Sequence, residues 1–179
     1  MVLRGSPKNF IVMKVFKLEA KQLIHRPLEE VFGFFSRPEN LVKITPAKLH
    51  FKILTPSPLE MKQGAVIDYT IQISIVHIHW RTLITTYEPP FKFVDEQIKG
   101  PYSFWHHTHI FKEVSDGVEI YDEVHYSIPL GPLGSLLHTL WIKKDLNHIF
   151  EYRKGVIDNL FKEEEYRKYL PNSFTEKAS

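Results

Sequence analysis

The sequence predicts an α+β fold: a curved antiparallel sheet of about seven strands wrapped on a long C-terminal helix, with two short helices after the first strand. Three observations carry this expectation. Apolar residues recur at period two through most of residues 16–128, the pattern of half-buried strands. That pattern is broken once, early, by two proline-bounded helical segments. Beyond Pro129 the period changes to 3.6 and holds over one long stretch. A strongly curved sheet cannot bury its concave face alone, so the terminal helix must lie across it. An elongated cavity between sheet and helix, opening near the short helices, follows from that order.

Residues 1–13 carry Gly5, Ser6, Pro7 and Asn9 without periodicity and read as a flexible leader, with Met13 an alternative start. Phe16, Leu18 and Ala20 alternate with Lys17, Glu19 and Lys21 as a half-buried strand. Pro27 suits a first helical position, and Leu28, Val31, Phe32 and Phe35 follow at helical spacing until Pro38. A second short helix fits 39–44, stopped by Pro46. Leu49, Phe51 and Ile53 alternate as the next strand. After the loop TPSPLEMKQG comes the clearest amphipathic strand, with Ile67, Tyr69, Ile71, Ile73 and Ile75 on one face. Residues 79–88 form another, ended by Glu88-Pro89-Pro90. Leu136, Leu137, Leu140, Leu146, Ile149, Phe150, Arg153, Val156, Ile157, Leu160 and Phe161 then mark one helical stripe, expected to run to about Lys168. Gly155 inside it suggests close packing. The domain is expected to span 14–168, with 169–179 a flexible tail.

At 179 residues, with 43% hydrophobic and 13% aromatic content, the chain has ample material for one core. A net charge of +2, from 23 basic and 21 acidic residues, argues against a nucleic-acid binder, which usually carries a basic stripe. The absence of cysteine excludes disulfides and thiolate metal sites. No apolar run approaches the roughly 20 residues of a membrane span, so no stable membrane insertion is expected. These totals suggest a cytoplasmic protein; they leave the oligomeric state open.

Residues 93–128 concentrate the chemistry-bearing side chains. Gly100-Pro101 and Ser115-Asp116-Gly117 divide the stretch into three antiparallel strands. Trp105, His107, His109 and Phe111 share one face of the middle strand. A two-residue turn at Asp116-Gly117 would set Phe111 opposite Asp122 and His109 opposite Val124.

The segments HRPLEEVFGFFSRPENLVKITP, FVDEQIKGPYSFWHHTHIF and YDEVHYSIPLGPLG, the last leading into IFEYR, resemble the SRPBCC superfamily, with its START or Bet v 1-like helix-grip fold, over roughly residues 14–165. The likeness is greatest to the ligand-binding branch related to the domain fused to cell-division-inhibitor/epimerase-like proteins. The resemblance implies a cavity but no single reaction, since such relatives include lipid carriers, coenzyme Q-binding proteins, polyketide cyclases, hormone receptors and chaperone activators.

His107 and His109, two apart on a strand, have the spacing of some zinc sites, with Asp122 a further carboxylate. His77 and His79 repeat the spacing, and His106 and His125 lie on the opposite face. The bland alternative is half-buried imidazoles bonded to tyrosine, threonine or carboxylate. Spacing fixes no third ligand and the resembled families do not generally need a metal, so neither metal nor cofactor is expected. Arg153 on the apolar stripe must be paired, with Asp122, Asp95 or Glu123 as partners, because an isolated buried charge costs several kcal/mol. It either ties helix to sheet or orients a ligand's carboxylate or phosphate.

The function expected first is binding or transport of a hydrophobic or amphipathic small molecule: a lipid, quinone or polyketide-like compound. Ile71, Ile73, Trp105, His107, His109, Asp122, Leu146, Ile149 and Arg153 would line its cavity. A cyclase- or dehydratase-like enzyme would use His107, His109, Asp122 and Arg153 as its catalytic set. A partner-binding regulator is the third reading.

Overall fold

The computed structural model describes residues 14–73, 75–131, 134, 136 and 141–171. The expected leader, the segment 172–179 of the expected tail, and Leu137 and Leu140 of the helical stripe lie outside them. Seven antiparallel strands form one sheet in the order β1-β7-β6-β5-β4-β3-β2. They are β1 (Phe16–Ile24), β2 (Lys52–Ile53), β3 (Val66–Ile73), β4 (Val76–Glu88), β5 (Lys92–Lys99), β6 (Phe104–Val114) and β7 (Gly117–Ser127). Between β1 and β2 lie α1 (Leu28–Phe35), a 3-10 turn (Pro38–Asn40), α2 (Leu41–Ile44) and a second 3-10 turn (Ala47–Leu49). The long helix, α3, runs Lys143–Lys162 and is followed by a 3-10 segment, Glu165–Tyr169. This is the architecture that the order of periodicities predicts, and the Bet v 1-like fold that the resemblance implies.

Several features differ from expectation. The helix expected over 39–44 opens as the 3-10 turn Pro38–Asn40, the strand expected from 79 already begins at Val76, and Ile75 falls beyond the end of β3, exposed. The strand expected over Leu49–Ile53 shrinks to Lys52–Ile53, because Leu49 closes a 3-10 turn and is buried there. Helix α3 ends at Lys162 rather than near Lys168: Glu163 caps it by donating its N–H to Asn159, and Glu164 turns left-handed at φ 57°. Gly155 faces open space, with no atom within 4 Å of where a Cβ would stand, so close packing does not explain it.

Curvature has a visible source. The β4–β5 ladder slips register between Arg81 and Thr82 and again between Ile84 and Thr86, and such irregularities bend and twist a strand pair. Inward-facing residues of the bent sheet then meet α1 and α3 in two hydrophobic clusters. Phe32, Phe34, Phe93, Phe111, Ile157 and Phe161 belong to the one beneath α1. Leu18, Ile71, Trp80, Trp105, Leu146 and Phe150 belong to the other. The 3-10 segment closes the first: Tyr166 is fully buried and its hydroxyl bonds to Glu30, while Arg37 Nη1 donates to the carbonyls of Tyr169 and Leu170. Tyr169 and Leu170, assigned to the tail from sequence, are therefore packed. Among the described residues no helix is long and apolar enough to cross a membrane.

Candidate functional site

The β6–β7 hairpin delivers the site. Val114 pairs with Gly117, so the two-residue turn is Ser115-Asp116, one residue earlier than expected. The register consequently moves by two: His109 faces Asp122, His107 faces Val124 and Phe111 faces Ile120. A shift of two keeps every side chain on its face, so Trp105, His107, His109 and Asp122 still point to the concave side. Gly117 permits the turn to pack where it does. At φ 135°, a Cβ there would stand 2.2 Å from the Ile24 carbonyl oxygen.

On the other flank, β5 sets Asp95 opposite His107. Two aspartates and two histidines thereby form a buried square between the two hydrophobic clusters. His107 Nε2 is 3.0 Å from Asp122 Oδ1, and His109 Nε2 is 3.0 Å from Asp95 Oδ2, both aligned as hydrogen bonds. His107 Nδ1 lies 3.5 Å from Asp95 Oδ2. His109 Nδ1 lies 2.7 Å from Asp122 Oδ1, close enough for an ion pair but off the line of a straight hydrogen bond. The rings of His109 and Phe93 stack at 4.1 Å.

Burial and mutual charge divide the four groups. Burial alone would raise Asp122, but the charge of His109, the hydrogen bond from His107 and the close approach of His109 Nδ1 outweigh it and hold its carboxyl far below the ordinary range. Asp95 is lowered in the same way, against burial, by its bond to His109 and the nearby charges of both histidines and Arg153. Burial pushes His107 down, and the charge of His109 adds to it. For His109 burial is outweighed by Asp122 and Asp95, and its pKa rises. The surroundings therefore favour ionised carboxylates and push the two imidazoles apart, His109 toward its charged form and His107 toward its neutral one.

In front of this square a cavity of about 780 Å³ runs between the sheet and α3. Ile71, Ile73, Trp105, His107, His109, Leu146, Ile149 and Arg153 all line it. Ile73 stands at the rim, 42% exposed. Asp122 does not line this cavity. It lies behind the histidines, in a smaller cleft between β1, β7 and α3. Lining residues outside the nine expected ones include Tyr69, Trp80 and Asp95; the last was expected only as a partner for Arg153. Its inward parity beside Phe93 was the available signal, since a carboxylate on a buried face needs a reason. Lys48 and Asp145, both on the lining, pair at 3.0 Å between the second 3-10 turn and the start of α3.

Arg153 departs from expectation. Among the described residues it makes no ion pair within 4 Å with Asp122, Asp95 or Glu123, and Glu123 sits on the outer face with Lys17. Its guanidinium instead stacks over Phe150 at 5.2 Å, and its buried Nε has no hydrogen-bond partner. The side chain as a whole is only half-buried, and its charge helps to hold the Asp95 carboxyl low. The remaining strand histidines follow the bland alternative where partners are seen: His79 bonds Asp68 at 2.7 Å and His106 bonds Glu96 at 3.0 Å.

No family model and no curated protein sequence matches the chain. Solved structures do. TTHA0849 from Thermus thermophilus matches with a TM-score of 0.66 at 13% identity, covering 83% of this chain and 98% of that one. A Thalictrum norcoclaurine synthase, solved with a transition-state analogue, matches with a TM-score of 0.63 at 11% identity, covering 87% and 99%. The di-domain ARO/CYC StfQ of the steffimycin pathway matches with a TM-score of 0.64 at 12% identity, covering 84% of this chain and 52% of that one. At these identities the likeness is one of fold.

Proposed function

We propose that the protein binds or carries a hydrophobic or amphipathic small molecule in the cavity between the sheet and α3. The observation that carries this reading is a 780 Å³ cavity walled by aliphatic and aromatic side chains, with a buried guanidinium nitrogen left unsatisfied inside it. Cavities of roughly 300–1,000 Å³ with few convergent polar groups suit drug-sized ligands. An unpartnered donor at Arg153 favours a ligand with an anionic or strongly accepting head, its apolar body lying along Ile71, Trp80, Trp105 and Leu146. The sequence motifs HRPLEEVFGFF and GPYSFWHHTHIF support the SRPBCC branch related to the domain fused to epimerase-like proteins, and a ligand-binding role agrees with it.

Native mass spectrometry of freshly purified protein, followed by denaturing extraction, tests the reading. A lipid, quinone or polyketide-like mass in stoichiometric amount supports it. Failure of such compounds to bind, with no change in Trp80 and Trp105 fluorescence on titration, rejects it.

A second reading has its own observation. His107 lies on the cavity wall, hydrogen-bonded through Nε2 to a carboxylate, and burial lowers its pKa. That is the arrangement of a general base with its orienting partner, and the synthase and cyclase among the structural neighbours favour it. An enzyme would lose about 10²–10⁴-fold in turnover on His107→Ala, whereas a carrier would change only in affinity.

A further inference from the structure

We propose that Asp95, His107 and His109 form a binding site for one divalent first-row transition ion, such as Zn(II) or Fe(II), at the inner end of the cavity. The inference stands independently of which small molecule the cavity takes.

The geometry begins with Asp122. Its Oδ1 lies against one nitrogen of each imidazole, His107 Nε2 at 3.0 Å and His109 Nδ1 at 2.7 Å. The other nitrogen of each ring faces a single atom, Asp95 Oδ2: His107 Nδ1 at 3.5 Å and His109 Nε2 at 3.0 Å. His107 bonds Asp122 through Nε2, so as a neutral ring with its one N–H there it presents the Nδ1 lone pair toward Asp95, and His109 presents its Nε2 lone pair to the same atom once that nitrogen gives up the proton it holds against Asp95. Two lone pairs and a carboxylate oxygen then converge on one point. Such a convergence in a buried site requires a cation between the donors, either a proton or a metal ion.

The spacing suits a metal. One donor atom from each of Asp95, His107 and His109 lies within 4.8 Å of the others. Donors about 2.0–2.1 Å from Zn(II), at tetrahedral angles, stand about 3.3 Å apart. The observed 3.0 and 3.5 Å bracket that distance. Two imidazoles with one carboxylate and no thiolate suit Zn(II), and the same set with open positions is the ligand pattern of non-haem Fe(II). Hard ions such as Mg(II) prefer all-oxygen shells.

The surroundings suit it equally. All three donors line the cavity, so the free coordination position opens onto the space a ligand would occupy. Asp122, set behind the rings, would act in the outer shell by holding both imidazoles in the ligating orientation. The ion would replace the proton shared by His109 Nε2 and Asp95 and release it to solvent. The outer-face alternative at His79 is weaker, because Arg81 occupies the same Asp68 carboxylate at 2.8 Å and repels a cation.

The test uses the whole chain stripped with a chelator, titrated with ZnCl2 by calorimetry and with Co(II) by visible absorption. One saturable equivalent is expected, with the intense d–d bands of a low-coordinate Co(II) site. Asp95→Asn should weaken binding at least 100-fold. Asp122→Asn, which leaves all three donors in place, should weaken it about 10–100-fold. His79→Ala should leave it unchanged. Should Asp95→Asn fail to fold by circular dichroism, histidine-ring NMR of the wild-type chain decides: Zn(II) must move the His107 and His109 resonances. No saturable binding, affinity unchanged in Asp95→Asn, or ring shifts confined to the outer-face histidines overturns the proposal. The ligand reading is left standing by any of these, as the metal site is by an empty cavity.

Discussion

Arg153 and Asp122 show how a single residue's surroundings decide what its loss should do. Arg153 makes no ion pair among the described residues, so its charge is not a structural tie. Arg153→Met should leave stability nearly unchanged in a urea titration. It should cut the affinity of an anionic fluorescent probe, such as an anilinonaphthalene sulfonate, by about 10–100-fold, the worth of a hydrogen bond to a charged group. A neutral naphthylamine probe should bind nearly as before. Asp122 is the opposite case. It is buried against two imidazoles, and removing one partner of a buried ionic set typically costs about 3–5 kcal/mol. Asp122→Ala should lower the urea midpoint accordingly.

At the scale of elements, two glycines of similar appearance in sequence should respond with opposite signs. Gly155 is exposed in the middle of α3 with room for a methyl group, so Gly155→Ala should stabilise by up to about 1 kcal/mol. Gly117→Ala should destabilise, because its Cβ would collide with the Ile24 carbonyl and its φ of 135° disfavours any side chain. Thermal denaturation of both variants separates the cases. The loop before β3 gives a prediction in pH. Glu39 Oε1 accepts hydrogen bonds from the Ser57 hydroxyl at 2.9 Å and the Leu59 amide at 3.1 Å. Burial would raise Glu39, but the Leu59 amide and the Ser57 hydroxyl outweigh it and its pKa falls below the ordinary 4.5. A group lowered on folding stabilises fully above its unfolded value and loses that contribution as pH falls through the folded one. Hydrogen-exchange protection at the Leu59 amide should therefore drop below about pH 4.5, and Glu39→Gln should flatten that dependence.

Over the whole molecule, the fold was legible because its signals were local and repeated. Period-two alternation marked β1 and β3–β7, and proline marked both ends of α1. What the sequence concealed were distances between partners. The β6–β7 register depended on whether Ser115-Asp116 or Asp116-Gly117 made the turn, and both are reasonable turn pairs. Because either choice keeps the same face inward, eight of the nine expected lining residues still reached the cavity while Asp122 fell behind it. Asp95 was hidden for a different reason: its place opposite His107 is set by the loop between β5 and β6, whose length carries no register rule. The end of α3 was misread because the charged run KEEEYRK continues helical propensity past a cap decided by tertiary contacts. A cavity of this size also bears on global stability. A tight ligand at 100 times its Kd should add about 2.7 kcal/mol and raise Tm visibly in a thermal-shift assay.

The strand order also sets a timetable for synthesis. β1 pairs only with β7 in the sheet, Phe16 opposite Tyr126 and Ile24 opposite Val118. Some hundred residues must therefore be made after β1 before its partner exists, about 5–20 s at a rate of about 5–20 residues per second. During that interval the meander from β3 to β6 can assemble hairpin by hairpin, while β1 and the inward face of α1 wait without a seat. The nascent chain thus presents an unpaired edge and an oily helix at once, the kind of intermediate on which chaperones act. A circular permutant that carries β1 after the C-terminal segment would shorten the separation between β1 and β7, and should speed refolding of the purified chain if that long closure limits its rate.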